Sequence, residues 1–260
     1  MKIELFHVGI ATCVLRINDQ LKIAIDPALF EKGTKLKFKT FESERLKSPR
    51  FDKETFEDID VWLISHFHED HIDRLGKEKI AQNSVVLSNK DAFAFLADIN
   101  SKEIRWKETY VFVKGNIVVE IQAIPAYHAS SFLMRKWIGK VNGYYLTVIA
   151  DSEVKKIYFT SDTVFHRNII QALPEKVDLL IANLGNVQAN KRGGPLTMDI
   201  PMLHKFVEIL TPSVVVPVHI NDLSHYETPE ESIVEAGYTV VETGKWHELF
   251  NHQYPRDEKR

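Results

Sequence analysis

The sequence predicts a layered α/β fold, and three observations predict it. β-Branched and aromatic runs recur along the chain, four helical stretches are set among them, and the strand runs are grouped between the helices. That grouping points to helices packed over strand layers. An all-β sandwich would lack the helices, and a strictly alternating parallel chain would place one between every two strands.

The amino-terminal strand runs are Ile3–His7, Thr12–Ile17 and Lys22–Ile25, each a short apolar stretch bounded by polar turns. Val61–Ser65 and Ser84–Leu87 follow, and then a helix over Asp91–Ala97. Two longer runs, Ile117–Ile124 and Tyr144–Ile149, precede Ile157–Thr160, a helix over Phe165–Ala172 and the strand Leu179–Ala182. Leu203, Phe206, Val207 and Leu210 recur at the spacing of one helical face, which predicts a helix over Met198–Leu210 stopped by Thr211-Pro212. Val214–Val216 is the last strand run and Pro229–Ala236 the last helix.

With 260 residues, 44% of them hydrophobic, the chain suits one large domain over residues 1–250, with 251–260 as a polar tail. A net charge of −3 gives no global electrostatic ground for nucleic acid or an anionic membrane. No apolar run approaches the roughly 20 residues that span a bilayer. Met1–Ile10 lacks the basic flank and cleavage site of a signal peptide, so a cytoplasmic protein with no membrane partner is expected. The single cysteine, Cys13, excludes an internal disulfide and reads as core filling within an apolar run.

The chemistry concentrates in Ile64-Ser65-His66-Phe67-His68-Glu69-Asp70-His71, directly after the buried-strand run Val61–Ile64. Imidazoles and carboxylates suit divalent transition ions, and four ligand-type side chains within six positions can surround a metal. As a plain loop the segment would gain little from crowding three imidazoles against two acids. Asp26, His128, Asp162 and His219 each fall just after a strand run. Singly, such residues are turn caps or surface groups. Beside the cluster they read differently, because strands of a layered α/β fold can deliver their ends to one rim where a metal centre assembles. His225, six residues after His219, is either a solvated loop histidine or a group that contacts substrate and assists proton transfer. His7 and His166 are weaker candidates, and His204, His247 and His252 read as structural or surface groups.

These residues resemble the metallo-β-lactamase superfamily, in its ascorbate-phosphate-lactonase-like and uncharacterised metal-dependent-hydrolase branch. The resemblance runs from about Phe6 to Ala236 and is carried by Gly9–Leu15, Ile25-Asp26-Pro27, the His66–His71 block, His128, Ser161-Asp162-Thr163, Gly194–Asp199 and Pro217-Val218-His219. It implies a four-layer αββα sandwich with a metal site along one edge of the paired sheets. It also implies two divalent ions, zinc first, with manganese or iron as alternatives. His66, His68 and His128 would hold the first, Asp70, His71 and His219 the second, and Asp162 would bridge them. Asp26 matches a family acid that supports the site without binding metal; a carboxylate accepting an imidazole N–H fixes a ligand's tautomer and orientation. The implied reaction is attack by a metal-bound hydroxide on a carbonyl or phosphoryl centre. Asp70, which would also orient the nucleophile, and His225 are the candidate catalytic residues.

Three functions compete. A small-molecule ester, lactone or phosphodiester hydrolase fits a chain little longer than the basic fold. An RNA or DNA nuclease gains support from Glu31–Lys53, where Lys32, Lys35, Lys37, Lys39, Arg45, Lys47, Arg50 and Lys53 outnumber Glu31, Glu42, Glu44 and Asp52, but no inserted clamping domain is visible. A di-iron oxidoreductase or a non-catalytic metal-binding module is opposed by His68, where the di-iron branch commonly has Glu, by the lack of a following flavin domain, and by seven competent ligand positions. Fold alone does not decide among them; the hydrolase is the expectation. Two long irregular stretches, Ala28–Asp60 and Ser130–Gly143, are expected to be functional or mobile. Ser130–Gly143, with Phe132, Leu133, Met134, Trp137 and Ile138, should form an apolar wall or lid, with Trp137 near the substrate or near a neighbouring subunit of a homo-oligomer. Glu31–Lys53 should lie by the cleft and favour a small anionic substrate. His68 and His219 are expected on a surface rim.

Overall fold

The computed structural model describes residues 1–38, 41–80, 82–188 and 194–251. Its strands are β1 (Ile3–Gly9), β2 (Thr12–Ile17), β3 (Leu21–Ile25), the small hairpin β4 (Lys35–Lys37) and β5 (Glu42–Glu44), β6 (Val61–Ile64), β7 (Val85–Ser88), β8 (Ser101–Glu103), β9 (Thr109–Lys114), β10 (Ile117–Ala126), β11 (Val141–Ala150), β12 (Glu153–Phe159), β13 (Leu179–Asn183), β14 (Val214–Val218) and β15 (Trp246–Leu249). The helices are α1 (Arg74–Lys77), α2 (Lys90–Phe95), α3 (Phe132–Ile138), α4 (Arg167–Ala172), α5 (Ile200–Leu210) and α6 (Glu230–Glu235).

Two mixed sheets carry the fold. One runs β15-β1-β2-β3-β6-β7-β8 and the other β14-β13-β12-β11-β10-β9. Side chains alternate across a strand, and this sequence uses the alternation to build three layers of apolar packing. Leu5, Leu15, Ile23 and Leu63 of the first sheet meet Val119, Ile121, Leu146, Val148 and Ile181 of the second in one buried cluster, which also takes Cys13. The opposite-parity residues Phe6, Val14, Ala24, Trp62 and Val86 pack outward with Ala92 and Leu96 of the α2 region. On the other outer face Tyr145, Tyr158 and Leu180 pack under Ile169, Leu203, Phe206 and Ile233 of α4, α5 and α6. Helices therefore cover both outer faces, and the architecture is the αββα sandwich.

All ten expected strands and all four expected helices form, with helix starts shifted by one or two residues. Asp199 accepts from the Met202 N–H at 2.8 Å, so the longest helix begins at Ile200 rather than Met198. It ends at Thr211, which turns left-handed at φ 46. No helix among the described residues is long and apolar enough to cross a membrane. Of the expected tail, residues 252–260 lie outside the described residues, as does Lys39 of the basic stretch.

Candidate metal centre

Parallel relations within both sheets send several strand ends to one rim: β3 and β6 are parallel, as are β12, β13 and β14. Asp26 follows β3, Ser65–His71 follows β6, His128 follows β10, Asp162 follows β12, and His219 follows β14. Asp26, Ser161 and His219 each adopt the left-handed region, at φ 46, 53 and 63, immediately or shortly after their strands. Such conformations cost free energy in non-glycine residues and are sustained where surrounding structure holds them. Here they re-aim the chain at the rim; the His219 N–H is held by the Ile10 carbonyl at 2.8 Å. Gly185 is required beside it, since a Cβ there would lie 2.9 Å from His219 Nδ1.

The rim brings all seven expected ligands together. Donor atoms of His66, His68 and His128 lie within 4.8 Å of one another, and so do those of Asp70, His71 and His219. Asp162 touches both sets: its Oδ2 is 3.4 Å from His128 Nε2 and 3.3 Å from His71 Nε2, and its Oδ1 is 3.5 Å from His219 Nε2. His219 is fully buried, contrary to the expected surface rim, because β14 carries it under the loop that follows; His68 is half-buried.

Hydrogen bonds behind the cluster set the tautomers. Asp26 accepts from the Ser65 N–H at 2.7 Å, from Ser65 Oγ at 2.6 Å and from His71 Nδ1 at 2.7 Å. With its proton given to Asp26, the Ser65 hydroxyl is left to accept from His66 Nδ1, 2.9 Å away. His128 Nδ1 donates to the Leu196 carbonyl at 3.0 Å. In each of these three rings Nδ1 is the nitrogen bonded outward and Nε2 faces the centre, the orientation that ligand imidazoles need. His66 Nε2 and His68 Nδ1 approach to 2.9 Å.

Asp70 Oδ1 and His71 Nε2 are buried without a hydrogen-bond partner. Such atoms are costly unless something else satisfies them, and both belong to the second donor set. The electrostatics agree. Burial, reinforced by neighbouring imidazoles, holds His66 well below the ordinary histidine pKa and His68 down to about 4. Burial also opposes the charge on Asp162 and Asp70, yet the surrounding imidazoles outweigh it and keep both carboxyls below the usual range. At His71 the carboxylates of Asp162 and Asp26 overcome burial and raise the pKa. Depressed His66 and His68 beside ionised Asp70 and Asp162, with His71 drawn toward positive charge between two carboxylates, form a donor set that fits divalent transition ions, whose charge can stand in for the imidazole proton.

Several residues of the centre carried no signal in the sequence. Tyr226 donates to Asp70 Oδ2 at 3.1 Å and stands 2.7 Å from His219 Nε2. Asn183, at the end of β13, donates to Asp162 Oδ1 at 2.9 Å; its place at a strand end was the available clue. Ser65 stands inside the motif, but a hydroxyl there does not mark itself as a partner of Asp26 and His66.

A cleft of about 260 Å³ opens over the cluster, with His68, Asp70, His128, Asp162 and His225 among its lining residues. His225 is bonded through Nδ1 to Ser43 Oγ at 2.6 Å, and burial pushes its pKa down to about 4. Of the Ser130–Gly143 segment, Met134, Trp137 and Ile138 line the cleft from α3, whereas Phe132 and Leu133 are exposed and do not. The basic stretch also reaches the cleft, but differently from expectation. Leu36, Phe38 and Phe41 line it beside one lysine among the described residues, Lys37. Arg45 is buried instead, its guanidinium donating to the carbonyls of Ala28, Phe30 and Lys47. The remaining histidines lie elsewhere: His7 bonds the Ile10 carbonyl, His166 caps α4, and His247 bonds the Glu242 carbonyl.

A family model described as the beta-lactamase superfamily domain matches residues 23–220. A UPF0173 metal-dependent hydrolase from Pyrococcus abyssi is 27% identical over 210 residues, covering 79% of this chain and 80% of its own. Among solved structures, a possible metal-dependent hydrolase from Veillonella parvula superposes with a TM-score of 0.80 at 17% identity, covering 96% of this chain and all (100%) of its own. An isothiocyanate hydrolase from Delia radicum gut bacteria superposes at 0.76 and 22% identity, covering 94% and 98%. With the αββα layers, the strand-end ligand rim and the matched model in agreement, the chain belongs to the beta-lactamase superfamily and is a metal-dependent hydrolase of that family.

Proposed function

We propose that this protein hydrolyses a small ester, lactone or phosphodiester at a two-ion centre, with zinc as the first choice of metal and manganese or iron as alternatives. The observation that carries the reading is the two donor sets, one of His66, His68 and His128 and one of Asp70, His71 and His219, with Asp162 in reach of both beneath a cleft of about 260 Å³. His66, His68 and His128 would hold one ion, Asp70, His71 and His219 the other, with Asp162 between them. When bound, the ions supply an activated water and a Lewis acid for the oxygen that gains charge.

The chain's own residues do the rest. Asp26, Ser65 and the Leu196 carbonyl hold three imidazoles in the ligating tautomer. Asp70 has one oxygen engaged by Tyr226 and the other without a partner in the fold, which suits it to orient the attacking water. His225 is neutral near pH 7, so it serves as a hydrogen-bond partner or proton acceptor at the cleft rather than as a standing acid. Among the described residues, Lys37 is the cation that supports the expected anionic substrate.

The test is a turnover screen of zinc-, manganese- and iron-loaded protein over lactones, esters, phosphodiesters and isothiocyanates, with single-stranded RNA binding followed across a salt series. Hydrolysis of at least one small class, abolished by His68→Ala and by His219→Ala, is the expected result. Tight RNA binding that falls steeply with salt, without any small-molecule turnover, would replace the reading by a nuclease.

A further inference from the structure

We propose that the substrate carries a flat, uncharged apolar group, a single or fused aromatic ring, seated against Phe38, Phe41 and Trp137. The placement of the reacting bond over the ligand cluster rests on the hydrolase reading; the seat for the ring rests on the walls themselves.

Two separate parts of the chain build those walls. The β4–β5 hairpin ends in Phe38 and Phe41, whose rings stack with centroids 4.8 Å apart and 24° between planes. The helix α3 contributes Met134, Trp137 and Ile138 to the same cleft. The aromatic pair is tied into the fold on several sides. Leu46 N–H donates to the Asp222 carbonyl at 2.7 Å and Ser224 N–H to the Glu44 carbonyl at 3.0 Å, which straps the hairpin to the loop after His219. Buried Arg45 anchors its base, and the His225 ring packs against both phenyl groups at 5.1 and 4.9 Å. A preordered wall loses little entropy when a ligand settles on it.

Phe38, Met134 and Ile138 pack against a small buried cluster, and the walls still keep part of their apolar surface exposed. Trp137 is 45% exposed and Phe38 and Phe41 are half-buried, so apolar surface faces the cleft above the metal ligands. Covering such a patch is favourable in proportion to its area, and patches of this kind mark binding sites. Aromatic walls add a preference for another π-system, whose edge or face they can meet. Charge argues for a neutral ring group, with any anionic group of the substrate left to the ligand cluster. Lys37 is the one lysine or arginine among the described lining residues, and its ammonium lies 3.8 Å from Glu42, while Glu69 adds an acid to the same cleft. The cleft's size, about 260 Å³, falls below the roughly 300–1,000 Å³ of pockets that take drug-sized ligands. One ring system and a short reactive group fill it.

Calorimetry with three probes tests this on zinc-loaded and on chelator-treated protein: 2-naphthylmethanol, cyclohexylmethanol and naphthalene-2-sulfonate. The expected result is binding of 2-naphthylmethanol to both preparations, about two- to tenfold tighter than cyclohexylmethanol, with the sulfonate weaker. The double variant Phe41→Leu/Trp137→Leu keeps apolar bulk but removes the flat rings, so it should lose the aromatic preference while its melting temperature stays close to the parent's. Equal preference in variant and parent, tighter sulfonate binding, or no naphthylmethanol binding would each overturn the inference. Probe binding as expected with no hydrolysis by any metal form would keep the aromatic seat and remove the hydrolase reading. Hydrolysis with no discrimination between aryl and alkyl substrates would do the reverse.

Discussion

The hydroxyl of Tyr226 bonds Asp70 Oδ2 at 3.1 Å while its ring lies on that of His219, centroids 4.2 Å apart. One phenol thus fixes the carboxylate and the imidazole of the same donor set. Its single proton serves either Asp70 or His219 Nε2, 2.7 Å away, so an ion taking the His219 lone pair leaves Asp70 as its acceptor. Tyr226→Phe retains the stacked ring and deletes only the hydroxyl. The expected outcome is a two-step metal titration in which one step weakens by about 10–100-fold and the other is unchanged. Two unaltered steps would show that the hydroxyl does not support the ion.

Asp26 stands behind the other edge of the centre, accepting from Ser65 twice and from His71 once. Asp26→Asn keeps the shape but removes the negative charge, and its amide can present donors where acceptors are needed. A loss of roughly 10–100-fold in metal affinity or turnover is expected, milder than the loss in His68→Ala or His219→Ala. Turnover as low as in those ligand deletions would mean that Asp26 itself binds metal.

Much of this centre was legible because its donors are contiguous or stand just after apolar runs: His66, His68, Asp70 and His71 sit in one motif, and Asp26, His128, Asp162 and His219 after strands. Tyr226, Ser65 and Asn183 were not, because a hydrogen bond to a ligand leaves no periodicity in the chain. The strands that escaped notice share a physical reason. The strands β4, β5 and β8 have three residues each, too few to show alternation, and β9 is an edge strand with only half-buried inner positions. The strand β15 owes its place to pairing with β1 across almost the whole chain. The helix α3 differs in cause: Phe132, Leu133 and Trp137 are exposed, Met134 and Ile138 only partly cover a small core cluster, and no residue of the helix is buried, so no apolar face repeats.

Metal content provides a direct check on the two donor sets. About two ions per chain are expected in protein purified without chelator, because seven donors exceed one four-coordinate site. His68→Ala and His219→Ala should each reduce that content, through different sets. Chelation should lower the melting temperature, since an ion that binds only the folded state stabilises it by mass action. Elemental analysis beside calorimetry measures both. One ion per chain in the parent, bound away from His66 and His71, would end the two-ion assignment.

His225 gives a pH dependence with a definite sign. Its folded pKa is about 4 because burial disfavours the charged ring, against about 6.5 for an unfolded chain. Between those values the unfolded state binds more protons, so stability falls as pH drops through about 6.5 toward 4. His66 and His68, also depressed by burial, act in the same direction, while His71, raised by Asp162 and Asp26, opposes them. The depressed carboxyls of Asp70 and Asp162 add their loss only below the ordinary aspartate range. Comparing one variant with its parent cancels these shared contributions. In chelator-treated protein, His225→Asn removes one depressed imidazole and leaves a polar side chain beside Ser43. Its melting temperature should fall less steeply than the parent's between pH 7 and pH 5, measured by scanning calorimetry at fixed ionic strength. A parallel or steeper fall would show that His225 does not resist protonation in the folded protein, and would return it to consideration as a proton donor.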